Sequence, residues 1–147
     1  MKKLIVLLCV LGGCALPDKT YTIDGVPVVL ENRIGPKQEQ MTLAVELFRR
    51  AVEEHFDTTP EEETRVWRSL QEIRWTRHPV IDHAHYDQEV NIVYANWLGC
   101  TLNVPFYAAL LHHYVDEPTD EDMAWADELH DENAPVVCTN TGWTFPW

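Results

Sequence analysis

Positive charge is what this chain runs out of. No lysine or arginine occurs after Arg77, while residues 78–147 carry twelve aspartates and glutamates and six of the seven histidines. The formal net charge of −13 argues against nucleic acid as a partner, because neutralising phosphates dominates that affinity. It equally opposes lying flat on anionic headgroups. Two readings of the basic-poor half stay open, a solvated acidic face and a region that attracts cations. Long apolar runs are missing too. The stretch Leu4 to Leu11 is far short of the roughly 20 residues that a membrane-spanning helix needs. Cysteine is scarce, and none of the four stands in a Cys-x-x-Cys spacing, which speaks against a zinc site built on paired thiolates. There is no internal repeat and no low-complexity segment. Disorder does not follow from the acidity, since 46% of the residues are hydrophobic and can build a core.

What is there begins with MKKLIVLLCVLGGC. Lys2 and Lys3 precede an apolar run and two small residues, the three-part pattern of a secretory signal. The ending Leu11-Gly12-Gly13-Cys14 resembles the lipobox of bacterial lipoproteins. That resemblance implies a signal peptide over 1–13, cleavage before Cys14, lipidation of Cys14 by fatty acids such as palmitate, and a membrane anchor in the cell envelope. Residues 14–20 then form a lipidated tether, and 21–147 one globular domain. In Gram-negative lipoproteins an Asp after the lipidated cysteine marks inner-membrane retention. Ala15 stands there instead, which implies an outer-membrane protein facing the periplasm.

About 134 residues remain after the signal, enough for one core. Losing Lys2 and Lys3 takes the net charge from −13 to −15. Cys9 leaves with the signal and Cys14 is taken by lipid, so Cys100 and Cys138 are the remaining pair. In an oxidising envelope they read as a disulfide.

Local patterns predict an α+β domain. Tyr21 to Leu30 reads as a hairpin turning at Asp24-Gly25, with Pro27 placing its second strand at an edge. A helix follows over about Gln38 to Phe56, where Met41, Val45, Phe48 and Val52 recur at helical spacing. A second helix starts at Thr59-Pro60, with Glu61 to Glu63 suiting its N-terminus and Val66, Leu70 and Ile73 on its buried face. Trp75 to Tyr94 should be extended. Asn103-Val-Pro105 opens a short helix to about Glu117, and Thr119 caps a last one that ends before Pro135. Val136 to Cys138 reads as a short strand.

Several motifs suggest chemistry. On a strand, His83, His85 and Asp87 share one face and would suit a divalent metal such as zinc. His83-Ala-His85-Tyr-Asp87 resembles the metal motif of metallo-β-lactamase-type hydrolases, with Gln88 where that family continues with His. Ile81 to His85 resembles the first-strand signature of amidohydrolases, but lacks the residue between Asp and the first His, and that barrel needs about 250 residues. His112 and Asp116, four apart on a helix, form a second candidate ligand pair. Leu110-Leu-His-His113 resembles the helix of zinc peptidases, with His113 at the place of the catalytic Glu and Asp116 at that of the second His. The tail Trp143-Thr-Phe145-Pro-Trp147 either packs over the core or offers aromatics to a glycan or an envelope protein. The function expected is that of a small noncatalytic envelope lipoprotein that acts by binding. The alternatives are an acidic, His-rich metal-binding lipoprotein and a degenerate zinc-peptidase-like protein.

Overall fold

A computed structural model describes residues 16–76 and 83–139. The signal, Cys14, Asp82 and the aromatic tail lie outside the described residues. The order of elements is β1 (Lys19–Ile23), β2 (Val26–Leu30), α1 (Gln38–Phe56), α2 (Pro60–Arg68), β3 (Glu72–Thr76), β4 (Ala84–Asp87), β5 (Ile92–Asn96), α3 (Phe106–Tyr114) and α4 (Asp120–Thr139), with 3-10 turns at Glu31–Arg33 and Thr101–Asn103. This is the expected α+β class.

Local chemistry explains most boundaries. Asp24 and Gly25 both take positive φ, 43° and 85°, as a type I′ hairpin turn requires. Thr59 and Glu62 cap α2 reciprocally: the Thr59 hydroxyl accepts from the Glu62 N–H at 3.2 Å and the Glu62 carboxylate from the Thr59 N–H at 3.1 Å. Thr119 and Asp122 repeat the device at α4.

The sheet runs β1-β2-β3-β5-β4. β2 is parallel to β3 and β3 to β5, while β1–β2 and β4–β5 are antiparallel. β2 is therefore an interior strand, not the edge that Pro27 suggested. The proline is tolerated because pairing with β3 begins at Val28, one residue later, so no ladder bond to β3 is lost. Strand period two then builds one face from Val28, Leu30, Ile73, Trp75, Val93, Ala95 and Ala84, all buried. The helices pack there: Phe106 meets Trp75 with ring centroids 5.6 Å apart, and Phe48 of α1 meets Tyr107 of α3 at 5.1 Å. Across the other face Val29, Arg74, Tyr94 and His85 stand in register.

Three further expectations are corrected. Leu70 and Ile73 lie beyond the second helix, which stops at Arg68, and Ile73 belongs to β3. α3 ends at Tyr114 and Val115 is extended, so Asp116 and Glu117 lie beyond the helix and His112 and Asp116 are not a pair on one helix face. α4 runs through Pro135 to Thr139 instead of yielding to a strand. An interior proline deletes a backbone donor and costs roughly 3 kcal/mol. Val137, fully buried, and the Cys100–Cys138 disulfide hold the last turn against the core and offset that loss.

Candidate functional site

The end of the domain that carries the β1–β2 turn gathers its buried charge. Glu63, in the first turn of α2, is only 3% exposed. Arg49 reaches it from α1, with Nε donating to both carboxylate oxygens at 2.8 and 2.9 Å. The Tyr114 hydroxyl, from the end of α3, donates to Oε2 at 2.6 Å. Arg49 Nη1 also donates to Asp24 at 2.8 Å, and Asp24 takes a second bond from Arg68 at 2.7 Å. The Arg49 guanidinium lies 5.2 Å from the centre of the Trp67 ring, whose N–H donates to the Ile23 carbonyl. One network thus ties the hairpin, α1, α2 and α3 together.

Its electrostatics are closed. Hydrogen bonds from Arg68 and then Arg49 hold the Asp24 carboxyl below its usual pKa. Burial works against the Arg49 cation, but Glu63 and Asp24 outweigh it and raise its pKa. Burial first, and the Glu63 carboxylate second, push the Tyr114 phenol up. Two acids face two arginines, so the centre is neutral. Glu63 accepts from Arg49 on both oxygens and from Tyr114 on one, which leaves it poorly placed to take a proton from a substrate. The arrangement is an anchor.

Directly over this anchor lies a cavity of about 170 Å³, walled by Val52, Phe56, Val66, Tyr114 and Val115, with Thr58, Glu62 and Glu63. On the other side of Glu63 a more polar groove is lined by Glu46, Arg49, Arg50, Glu53 and Thr64.

A serine and a histidine also meet nearby, Ser69 Oγ and His113 Nε2 at 3.4 Å. Both are committed to the same acceptor. His113 Nε2 lies 2.7 Å from the Val66 carbonyl and Ser69 Oγ 2.6 Å from it. A ring nitrogen that donates there has no lone pair to activate the serine. Burial lowers the His113 pKa, against the pull of its bond to Val66.

The sequence-predicted ligands are placed as follows. β4 does align its odd positions, yet Ala84 is buried and Tyr86 meets His113 of α3 at 5.7 Å, so His85 and Asp87 lie on the face turned from α3. His85 stacks on Tyr94 at 5.2 Å, and Asp87 accepts from the Glu89 N–H at 3.0 Å, shaping the β4–β5 turn. His83 precedes the strand and is exposed. His112 is exposed on α3, and Asp116 accepts from Gln88 at 3.2 Å. The strand end and the loop after α3 therefore meet through Gln88. Among the described residues no group of three or more His, Cys, Asp or Glu is arranged to hold a metal ion. Cys100 and Cys138 are joined, and Gln40, itself buried, donates to Cys100 Sγ.

Sequence reasoning missed the Glu63 centre. Glu63 reads as one more acid at a helix start and Arg49 as part of a solvated face. The usable signal was that Glu63 stands four residues before Trp67, on the same helix face. No protein-family model, curated protein or solved structure matches the chain. Among the described residues no helix is long and apolar enough to cross a membrane.

Proposed function

We propose that this protein is a noncatalytic lipoprotein of the bacterial cell envelope, anchored through acylated Cys14, that acts by binding another envelope protein at the cavity between α1, α2 and the end of α3. The observation that carries the reading is the cavity itself, an apolar recess of about 170 Å³ over a rigid, closed network. Sites for drug-sized ligands run to roughly 300–1,000 Å³, whereas an apolar cavity of about 150 Å³ holds one benzene-sized guest. A recess of this size suits a single apolar side chain presented by a partner protein. The committed bonds of Glu63, Ser69 and His113 support a role without catalysis. Ala15 favours the outer membrane in a host with two.

A photo-crosslinking residue at Val66, on the cavity wall, tests this in cells. The expected result is one discrete adduct, lost when Val115→Trp fills the recess and absent with the same residue at Val90. Equal labelling at both positions would reject the cavity as the contact. Elemental analysis of the purified protein addresses the rival reading, in which His83, His85, Asp87, His112 and Asp116 serve a divalent metal. Stoichiometric zinc would replace the binding proposal with that one.

A further inference from the structure

We infer that the end of the domain where the chain enters β1 rests on the bilayer surface, seated by Leu16, Leu98 and Val136. The inference rests on the lipoprotein reading of Cys14. Three independent observations converge on that end.

The first is reach. Four residues, and so five Cα-to-Cα steps, separate Cys14 from Lys19, where β1 begins, and an extended chain covers at most about 3.6 Å per step. The start of β1 therefore stays within about 18 Å of an acylated cysteine. Lys19 pairs with Leu30, and the register continues through Trp75 to Ala95 and Ala84. One end of the sheet thus lines up with the start of β1, the point that the tether keeps near the membrane.

The second is apolar exposure. Four large hydrophobic residues are strongly exposed among the described ones: Leu16 at 57%, Val136 at 51%, Leu98 at 50% and Val90 at 47%. Leu16 precedes β1 and Leu98 follows β5, both at the end just defined. Val136 lies two residues before Cys138, which the disulfide holds to Cys100 beside Leu98. Only Val90, in the β4–β5 turn, sits at the other end.

The third is charge. Among the described residues, the segments at this end, 16–19, 31–39, 83–84, 96–105 and 133–139, contain Lys19, Arg33 and Lys37 against Asp18, Glu31 and Glu39, and carry no net formal charge. The opposite end holds Arg49, Arg50, Arg65 and Arg68 against Asp24, Glu53, Glu54, Asp57, Glu61, Glu62, Glu63, Asp116, Glu117, Asp120, Glu121 and Asp122, and is strongly negative. An anionic bilayer repels that end and tolerates the neutral one, so electrostatics orient the molecule as the tether does. Arg33 is exposed in a turn with two successive non-glycine residues at positive φ, Asn32 at 55° and Arg33 at 61°, and the Asn32 N–H is bonded to Asp18.

In this pose α1 runs away from the membrane. Its 19 residues span about 28 Å at 1.5 Å each, so the Glu63 centre and its cavity face outward.

The test uses the full acylated protein in vesicles of phosphatidylethanolamine and phosphatidylglycerol. With Cys14 acylated and Cys100 bonded to Cys138, Leu98→Cys or Val136→Cys adds the one thiol for an environment-sensitive fluorophore, and Val90→Cys is the control. All three sites are exposed, so labelling leaves the core intact. The expected result is a blue shift and quenching by brominated lipid at 98 and 136, with neither at 90. Identical, water-like spectra at all three positions in protein that floats with the vesicles would overturn the inference and leave the lipoprotein reading standing. Protein that does not float and carries no acyl group by mass spectrometry would remove both.

Discussion

Replacing Glu63 by alanine probes the buried network at its centre. The substitution removes the acceptor of both Arg49 contacts and of the Tyr114 hydroxyl. Breaking a buried ion pair from one side costs roughly 3–5 kcal/mol, because the other charge stays behind. Here Arg49 keeps Asp24 and its side chain is 14% exposed, so partial rehydration places the loss near the lower limit, about 3 kcal/mol. Tyr114→Phe removes one bond to a charged acceptor and should cost roughly 1.5–3 kcal/mol. Their partners are shared, so the double variant should fall short of additivity by about 1 kcal/mol. Glu72→Ala is the reference: its pair with Arg74 is more exposed, 19% and 29%, and should cost no more than about 1 kcal/mol. Urea unfolding of the acyl-free domain measures all four, and an unchanged slope would show that each acts on stability alone. If Glu63→Ala costs no more than Glu72→Ala, or adds fully to Tyr114→Phe, Glu63 does not hold this end together.

Reducing the Cys100–Cys138 bridge, which closes 38 residues, should destabilise the domain by about 4 kcal/mol on the chain-entropy model, and free thiols in protein taken from the envelope would contradict its role. Gly35→Ala would set a Cβ 2.6 Å from Leu30 Cδ2 and 3.3 Å from Trp75 Cβ, an overpacking that should cost about 1–3 kcal/mol; a variant melting with the parent would refute this. His113 has a folded pKa below its usual 6.5, so the unfolded chain binds the proton more readily. Its contribution is complete above that value and declines as the pH falls through the lowered one; His113→Gln should flatten the pH dependence of urea stability over this window, and an unaltered slope would count against it.

The readable parts of the fold are those whose causes are local. The Asp24-Gly25 turn, the capping boxes at Thr59 and Thr119, and the apolar stripe of α1 each need only a few neighbouring residues, and each occurs where the chain predicts it. What was misread depends on partners remote in sequence. Pro27 marks an edge only when its missing N–H faces a neighbour's ladder, and the offset pairing with β3 removes that condition. Pro135 stops a helix only if nothing holds the following turn, and Cys100 holds it through Cys138 from 38 residues away. α3 ends early because Val115 is extended, where it lines the cavity with Val52 and Phe56 of α1, and no periodicity within 106–117 records that.

The candidate site was harder to read for a related reason. Acidic and histidine residues attract notice when they stand close in sequence, as His83, His85 and Asp87 do. Yet His83 and His85 are exposed, so water can meet their charge. Glu63 has little water, so its charge must be met by protein, and Arg49 and Tyr114 come from 14 and 51 residues away. Burial, which the sequence only hints at through Trp67 four residues on, decides which charges become organised. The same rule explains the polarity of the molecule. Most of its acids stay on the surface, where water screens them, while Asp24 and Glu63 are drawn into a neutral knot with Arg49 and Arg68. A partner docking at the cavity as proposed would meet an apolar recess inside an acidic surround, so the expected partner presents an apolar side chain flanked by lysine or arginine.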